Sequence, residues 1–227
     1  VNHVILHGTP YTKSVNGYLA DWPGWTAFGN NFAGSYAIWR CDFDDMYNMT
    51  GYMARNQAVL QQGTAKVDLA FLNDSSTGAT LFSGNAFQHL LDQGYSYNYF
   101  TEALMKSENA VVTNGVLAES GPAYKALVVN AVSDISVDGM KKIQEYAQNG
   151  LPVVFYNCNI SDVYGLETDT NSKENLIATY NQILKYDNVA SASSEEELEQ
   201  TLSAMGITSD ASYNTNYLET SHYVDTK

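Results

Sequence analysis

The chain has 227 residues, of which 44% are hydrophobic and 16% are charged, and its formal net charge at pH 7 is −14. This length and composition are typical of a globular chain of one or two domains, and they exclude a disordered chain or a membrane-spanning one. The acidic balance excludes nucleic acid and anionic membrane surfaces as partners, because no basic patch is available to neutralise phosphate, whereas neutral carbohydrate stays compatible.

The first forty residues combine a predicted buried strand at residues 4–7 with a long loop rich in Gly, Asn, Tyr and Trp, which holds all three tryptophans of the chain. Long loops in compact domains are usually functional, and ligand sites gather at the carboxyl ends of strands. Sugars stack their C–H faces on aromatic rings and bind amides and carboxylates through their hydroxyls. The loop therefore predicts a sugar site that includes His7, Asp21 and Trp22. The alternative is that the rings only pack the loop onto a core.

Residues 46–62 have the apolar spacing of an amphipathic helix, and Gly63 is suited to end it. Strand, loop and helix make one βα unit, which is too little for a domain, so we expect residues 1–64 to complete a barrel or sheet. The chain opens directly before a strand and closes on a strand-like run at residues 217–224. We therefore expect a piece of a longer protein, and the abundance of Tyr, Asn, Ser and Thr favours an extracytoplasmic bacterial one.

The following residues alternate predicted strands with predicted helices, which is typical of an α/β fold with a mostly parallel, doubly wound sheet of the flavodoxin-like kind. We divide the chain into residues 1–64, a flavodoxin-like domain at 65–208, and a linker with the start of a further strand at 209–227. The predicted strands are 66–72, 95–100, 126–129, 152–156 and 188–190, and the predicted helices are 86–93, 138–148, 172–186 and 195–205.

Local signals add detail to this domain. Asn114-Gly115 between two short apolar runs predicts a β-hairpin over 111–117, and Ser194 with Glu197 predicts a capping box at the last helix. The loop at 73–85 lacks the glycine patterns that cradle a nucleotide phosphate, so a nucleotide site is not supported.

Cys158 is the one candidate nucleophile, because it follows a predicted buried strand. Its surroundings lack the glycines that a nucleophile elbow needs and a following His–acid pair, so a thiol enzyme is the weaker hypothesis. The chain has only two cysteines, Cys41 and Cys158, and a single bridge between them is the alternative to two free thiols.

The other candidate groups have simple structural readings. Asp42, Asp44 and Asp45 could offer oxygens to calcium, but a solvated acidic helix start explains them better. His89 falls in the middle of a predicted helix, where a surface or capping histidine is the ordinary case.

A family resemblance rests on segments that follow one another in order: Asn2-His3-Val4-Ile5-Leu6-His7, Trp22-Pro23-Gly24-Trp25, Phe28-Gly29-Asn30-Asn31-Phe32, Trp39, residues 52–63 and Val67-Asp68-Leu69. Their order and spacing over residues 2–72 resemble the late-barrel segment of glycoside hydrolase family 106, the α-L-rhamnosidases. The next domain is similar to the class I glutamine amidotransferase-like domain behind that barrel, which related β-galactosidases use for trimerisation without amidotransferase activity.

The resemblance implies that residues 1–64 are the last βα unit of a (β/α)8 barrel. It also implies inverting, calcium-dependent hydrolysis by two glutamates, yet residues 1–64 contain none. Both catalytic carboxylates would therefore lie upstream, calcium would bind only in the parent enzyme, and this chain would hold no catalytic residue, metal ligand or cofactor. The matching positions here would be wall residues that contact the sugar: His7, Trp25, Asn30, Asn31 and Trp39.

Some positions depart from the family pattern. Asn31 stands where histidine is usual, Trp25 replaces methionine, and Ile38-Trp39 replaces an aromatic pair. A related glycosidase with another sugar is therefore an alternative to a rhamnosidase. An alternative of a different class is a non-catalytic module for structure, homo-oligomerisation or carbohydrate binding.

Overall fold

The computed structural model describes residues 3–4, 41–73, 87–164, 171–213 and 224–226. The chain divides into two compact units, Val1–Thr64 (unit 1) and Ala65–Lys227 (unit 2). In chain order the helices are α1 (Asp45–Leu60), α2 (Gln88–Asp92), α3 (Glu102–Met105), α4 (Val137–Gln148), α5 (Ser172–Ile183) and α6 (Glu195–Ala204).

The strands are β1 (Leu69–Asn73), β2 (Tyr97–Phe100), β3 (Val112–Thr113), β4 (Val116–Leu117), β5 (Ala126–Asn130), β6 (Asp134–Ile135), β7 (Val153–Tyr156), β8 (Asp162–Val163), β9 (Val189–Ala192), β10 (Ala211–Tyr213) and β11 (Val224–Thr226). None of the helices in the described part of the chain is long and apolar enough to cross a membrane.

In unit 1 the predicted helix is present as α1, but none of its residues is buried. Tyr52, expected on the apolar side, has 63% of its surface exposed, and Met49 has 43%. Met46 and Met53 are half-buried and, seven positions apart, lie on one side of α1. The amphipathic character of this helix stays a prediction. The strand predicted at residues 4–7 falls almost entirely outside the described residues.

Unit 2 is built on a five-stranded sheet in which every neighbouring pair is parallel, in the order β2-β1-β5-β7-β9. Strands β1, β5 and β7 are continuous apolar runs that are buried on both faces, as expected for the centre of a parallel sheet. The predicted mostly parallel α/β sheet is therefore confirmed.

Alternate residues of the central strands enter two separate cores, because successive side chains of a strand point to opposite faces. Leu72, Val129 and Phe155 pack on one face with residues of α4 and α5. Phe71 and Val128 pack on the other face with residues of α2 and α6. The sheet thus has helices on both faces.

The predicted hairpin is confirmed. Strands β3 and β4 pair antiparallel, and the turn residues Asn114 and Gly115 both have positive φ, at 52° and 77°. Such a turn matches the twist of the two strands, and Asn-Gly adopts it at low cost.

The capping box at α6 is present with one change. The Ser194 hydroxyl accepts a hydrogen bond from the Glu197 amide at 3.2 Å, as predicted. The Glu197 carboxylate reaches the amide of Ser193 at 2.8 Å, one residue before the position that the usual box would use.

The short parallel pair β6 and β8 is not among the predicted strands. A two-residue strand carries no periodic pattern, so only contact between distant segments creates it. Ser136 then starts α4, and its hydroxyl accepts a hydrogen bond from the Gly139 amide at 2.9 Å.

A buried carboxylate joins the amino ends of three strands. Asp68 is fully buried and accepts hydrogen bonds from the Ser96 amide at 2.9 Å and from Lys125 Nζ at 2.6 Å. Lys125 also donates to the Thr208 carbonyl at 2.8 Å and pairs with Asp210 at 2.5 Å. Residues 208–210 are thereby attached to the sheet of unit 2, ahead of the antiparallel pair of β10 and β11.

Candidate functional site

The seven sugar-binding residues predicted from the sequence all lie outside the described residues: His7, Asp21, Trp22, Trp25, Asn30, Asn31 and Trp39. Their role stays a prediction. In unit 2, the carboxyl edge of the parallel sheet is the place where ligands of open α/β sheets ordinarily bind.

The direction of strand addition reverses between β1 and β5, and the last residues of these two strands, Asn73 and Asn130, are register partners. The Asn130 side-chain amide donates a hydrogen bond to the Asn73 side-chain carbonyl at 2.7 Å. Two neutral amides can bind hydroxyls, but they cannot act as a general acid or base near neutral pH.

Cys158 follows β7 closely, as predicted, but it does not have the geometry of a nucleophile. The residue in the left-handed conformation after the strand is Asn157, with φ 52°, and the Cys158 thiol donates to the Val129 carbonyl at 3.1 Å. Burial raises the pKa of Cys158 to about 11, and backbone hydrogen bonds involving Val132 and Ala131 offset the rise only in part. The thiol is therefore protonated and unreactive at neutral pH. Both Cys158 and Cys41 are free thiols.

The remaining charged residues that were considered as metal ligands or catalytic groups lie in or next to helices. Asp44 directly precedes α1 and Asp45 lies in its first turn, which is the acidic helix start expected from the sequence. Within the residues that the structure describes, no group of three or more His, Cys, Asp or Glu side chains could hold a metal ion. His89 lies in α2, and its backbone amide donates to the Glu195 carboxylate at 2.9 Å.

Carboxylates elsewhere in unit 2 also serve helix starts. The Glu102 carboxylate accepts hydrogen bonds from the Ser136 hydroxyl and from the Ser136 amide, the latter at 3.3 Å, at the beginning of α4. The Glu102 carboxylate thus accepts hydrogen bonds at the start of the helix, where backbone donors lack partners within the helix. None of its described hydrogen-bond partners is a second carboxylate.

An aromatic cluster on the face of the sheet that α2 and α6 cover was missed by sequence reasoning. The rings of Phe71 and Phe87 lie 4.3 Å apart, Tyr97 lies 4.9 Å from Phe71, and Tyr156 lies 5.5 Å from Phe87. A partial signal existed, because tyrosines at alternate positions 95, 97 and 99 fall on one face of a strand.

Comparison with protein families decides the affiliation. The model of glycoside hydrolase family 106, described as alpha-L-rhamnosidase, matches residues 1–226. The chain belongs to this family. No curated protein and no solved structure gives a significant match.

The family 106 membership confirms the resemblance inferred from the first 72 residues and extends it through unit 2. It places the chain among glycoside hydrolases. Among the described residues of unit 2, this family 106 chain has paired amides at the carboxyl edge of the sheet, a protonated thiol at Cys158, and carboxylates that accept hydrogen bonds at helix starts.

Proposed function

We propose that this family 106 chain supplies a sugar-binding wall and a supporting domain to a glycoside hydrolase of the α-L-rhamnosidase kind, while the catalytic carboxylates come from residues outside this sequence. The observation that carries the proposal is the family match over residues 1–226. Neutral carbohydrate is the proposed partner, and an extracytoplasmic location suits it.

The composition of unit 1 supports a role in sugar binding and not in proton transfer. Glycoside hydrolysis normally requires two carboxylic groups on opposite sides of the scissile bond, and inversion requires room for a water between them. Residues 1–64 contain no glutamate, but they contain all three tryptophans. We propose that they bind the sugar through His7, Asp21, Trp22, Trp25, Asn30, Asn31 and Trp39 as the last βα unit of a (β/α)8 barrel.

Unit 2 is proposed to be a flavodoxin-like, amidotransferase-like domain without amidotransferase activity. Its five main strands, numbered along the chain, lie in the order 2-1-3-4-5, which is the flavodoxin order. The raised pKa of Cys158, at about 11, supports a structural role, because an amidotransferase needs a thiolate.

The tryptophans give a direct test of the wall, because each indole N–H signal in an NMR spectrum of the whole chain comes from residues 22–39. We expect titration with L-rhamnose to shift the signals of Trp25 and Trp39, since stacking of a sugar on an indole changes its local field. Trp25→Phe assigns one signal and should weaken the shift of the other.

The matched control is Tyr47→Phe, because Tyr47 is an aromatic residue of the same unit with 84% of its surface exposed. This control should leave the titration unchanged. Three indole signals that stay fixed at saturating L-rhamnose and at saturating D-galactose would contradict the sugar-binding wall.

A further inference from the structure

Three half-buried tyrosines, Tyr97, Tyr99 and Tyr156, border the core that α2 and α6 cover, and we call them the tyrosine surface. Behind them lie Phe71, which is fully buried, and Phe87, which is 7% exposed. Tyr97 contacts Tyr99 at 5.8 Å between ring centroids, and Phe87 contacts Tyr156 at 5.5 Å. The rings therefore form one continuous cluster, inclined to one another by 48–76°, whose outer members are all tyrosines.

The backbone that places the central ring is unusual. Phe87 has φ 60° and ψ 39°, a left-handed conformation that a bulky residue rarely adopts. Strained backbone of this kind persists where surrounding contacts fix it, and it concentrates at functional sites. Here it holds the Phe87 ring in contact with rings from β1, β2 and β7.

Charged and polar groups lie near the half-buried tyrosines. Burial raises the pKa of Tyr97, with the neighbouring Tyr99 and Glu195 adding to the rise, and burial with Glu195 and Glu196 raises that of Tyr156. The Tyr97 hydroxyl is hydrogen-bonded with Tyr99, and the Tyr156 hydroxyl is a donor that a ligand could use. One oxygen of Glu195 binds the His89 amide, and a carboxylate has further lone pairs that can accept from a ligand.

We propose that the tyrosine surface is a second carbohydrate site, which binds a neutral saccharide on unit 2. The apolar C–H face of a pyranose can lie on aromatic rings, and tyrosine hydroxyls with glutamate carboxylates can bind its hydroxyl groups. Acidic saccharides are excluded, because the neighbouring glutamates and a net charge of −14 repel them.

A cation is the competing ligand for rings beside carboxylates. The centroid distances of 4.3–5.8 Å are direct ring contacts, so no space remains between the rings to enclose an ammonium group. Tyr97 and Tyr99 are inclined to each other by 75°, so a pyranose would stack on the face of one outer ring while its hydroxyl groups bind the neighbouring polar groups. The site uses none of the residues proposed for the wall in unit 1.

The test is calorimetric titration of the whole chain with methyl α-L-rhamnopyranoside, methyl β-D-galactopyranoside and methyl α-D-glucopyranoside. We expect Tyr99→Ala and Tyr156→Ala each to weaken binding of at least one of these glycosides by about tenfold. Tyr164→Ala is the matched control, because Tyr164 is a tyrosine of unit 2 with 46% of its surface exposed. The control should bind as the unchanged chain does.

Tyr99→Phe and Tyr156→Phe keep the aromatic rings and remove only the hydroxyl groups, so they are less disruptive than the alanine variants. Circular dichroism checks that every variant is folded. Binding that survives in Trp25→Ala and falls in Tyr99→Ala assigns the saccharide to the tyrosine surface, independently of the wall. The proposal is overturned if no glycoside binds to Trp25→Ala, if both tyrosine-to-alanine variants bind normally, or if tetramethylammonium displaces the glycoside.

Discussion

Replacing Asp68 with alanine is expected to lower the free energy of unfolding by about 2–4 kcal/mol, because it removes the buried carboxylate that pairs with Lys125, which keeps its exposed partner Asp210. The side chain of Asp68 is 1% exposed and lies 2.6 Å from Lys125 Nζ. The variant also removes the acceptor of the Ser96 amide. Chemical denaturation monitored by circular dichroism measures the loss.

The matched control is Glu145→Gln, which breaks the exposed pair with Lys142 at 2.7 Å. Surface pairs of this kind contribute little, so the control should stay within about 0.5 kcal/mol of the unchanged chain. Equal stabilities of Asp68→Ala and Glu145→Gln would contradict the buried network.

The same network gives a signature at alkaline pH. Burial alone would lower the pKa of Lys125, but its hydrogen bonds to Asp210 and Asp68 overcome this effect and raise the pKa. The stabilisation is then fully present below the pKa of an unfolded lysine, about 10.4, and is lost as the pH rises through the higher folded value. Lys125→Met should lack this alkaline loss of stability.

Replacing Gly94 with alanine is expected to lower the free energy of unfolding by at least about 2 kcal/mol. The new methyl group would clash with backbone atoms, and alanine would also be strained at the positive φ of this position. Gly94 ends α2 with φ +85°, and a Cβ there would lie 2.0 Å from the Ala211 carbonyl oxygen. Backbone atoms cannot rotate away, so residues 209–211 must move.

Gly206→Ala separates the two causes, because Gly206 also has a positive φ, +78°, but among the described residues no atom beyond its chain neighbours lies within 4 Å of its Cβ position. This control should lose only the conformational part, about 1 kcal/mol. Thermal unfolding of the two variants side by side measures the difference. A Gly94→Ala protein as stable as Gly206→Ala would show that residues 209–211 do not pack closely on α2.

The centre of the fold could be predicted from the sequence, because its signals are local and strong. The apolar runs of β1, β5 and β7 have no alternation, which indicates burial on both faces of a parallel sheet. The turn at Asn114-Gly115 needs positive φ at both positions, and these two residue types supply it.

The rest depends on contacts between distant segments. Asp68 is an ordinary aspartate in the sequence, and only the approach of Ser96 and Lys125 makes it a buried junction. The tyrosines of β2 predicted a strand, but their clustering requires Phe87 and Tyr156 from other segments. Likewise, the spacing around Cys158 could not show that Asn157 takes the left-handed conformation.

The candidate site, too, could be predicted from the sequence only in part. Aromatic and amide residues in one loop predicted a sugar site, and the order of short segments predicted the family, which the match over residues 1–226 confirms. The positions of His7, Trp25 and Trp39 lie outside the described residues, so their contacts stay a prediction.

The most direct test of the account is the rate at which the purified chain releases p-nitrophenol from p-nitrophenyl α-L-rhamnopyranoside. We expect the rate of the heat-denatured chain and no more, because both catalytic carboxylates are proposed to come from residues outside this sequence. Turnover well above that rate, and its loss when a single glutamate of this chain is replaced by glutamine, would contradict it.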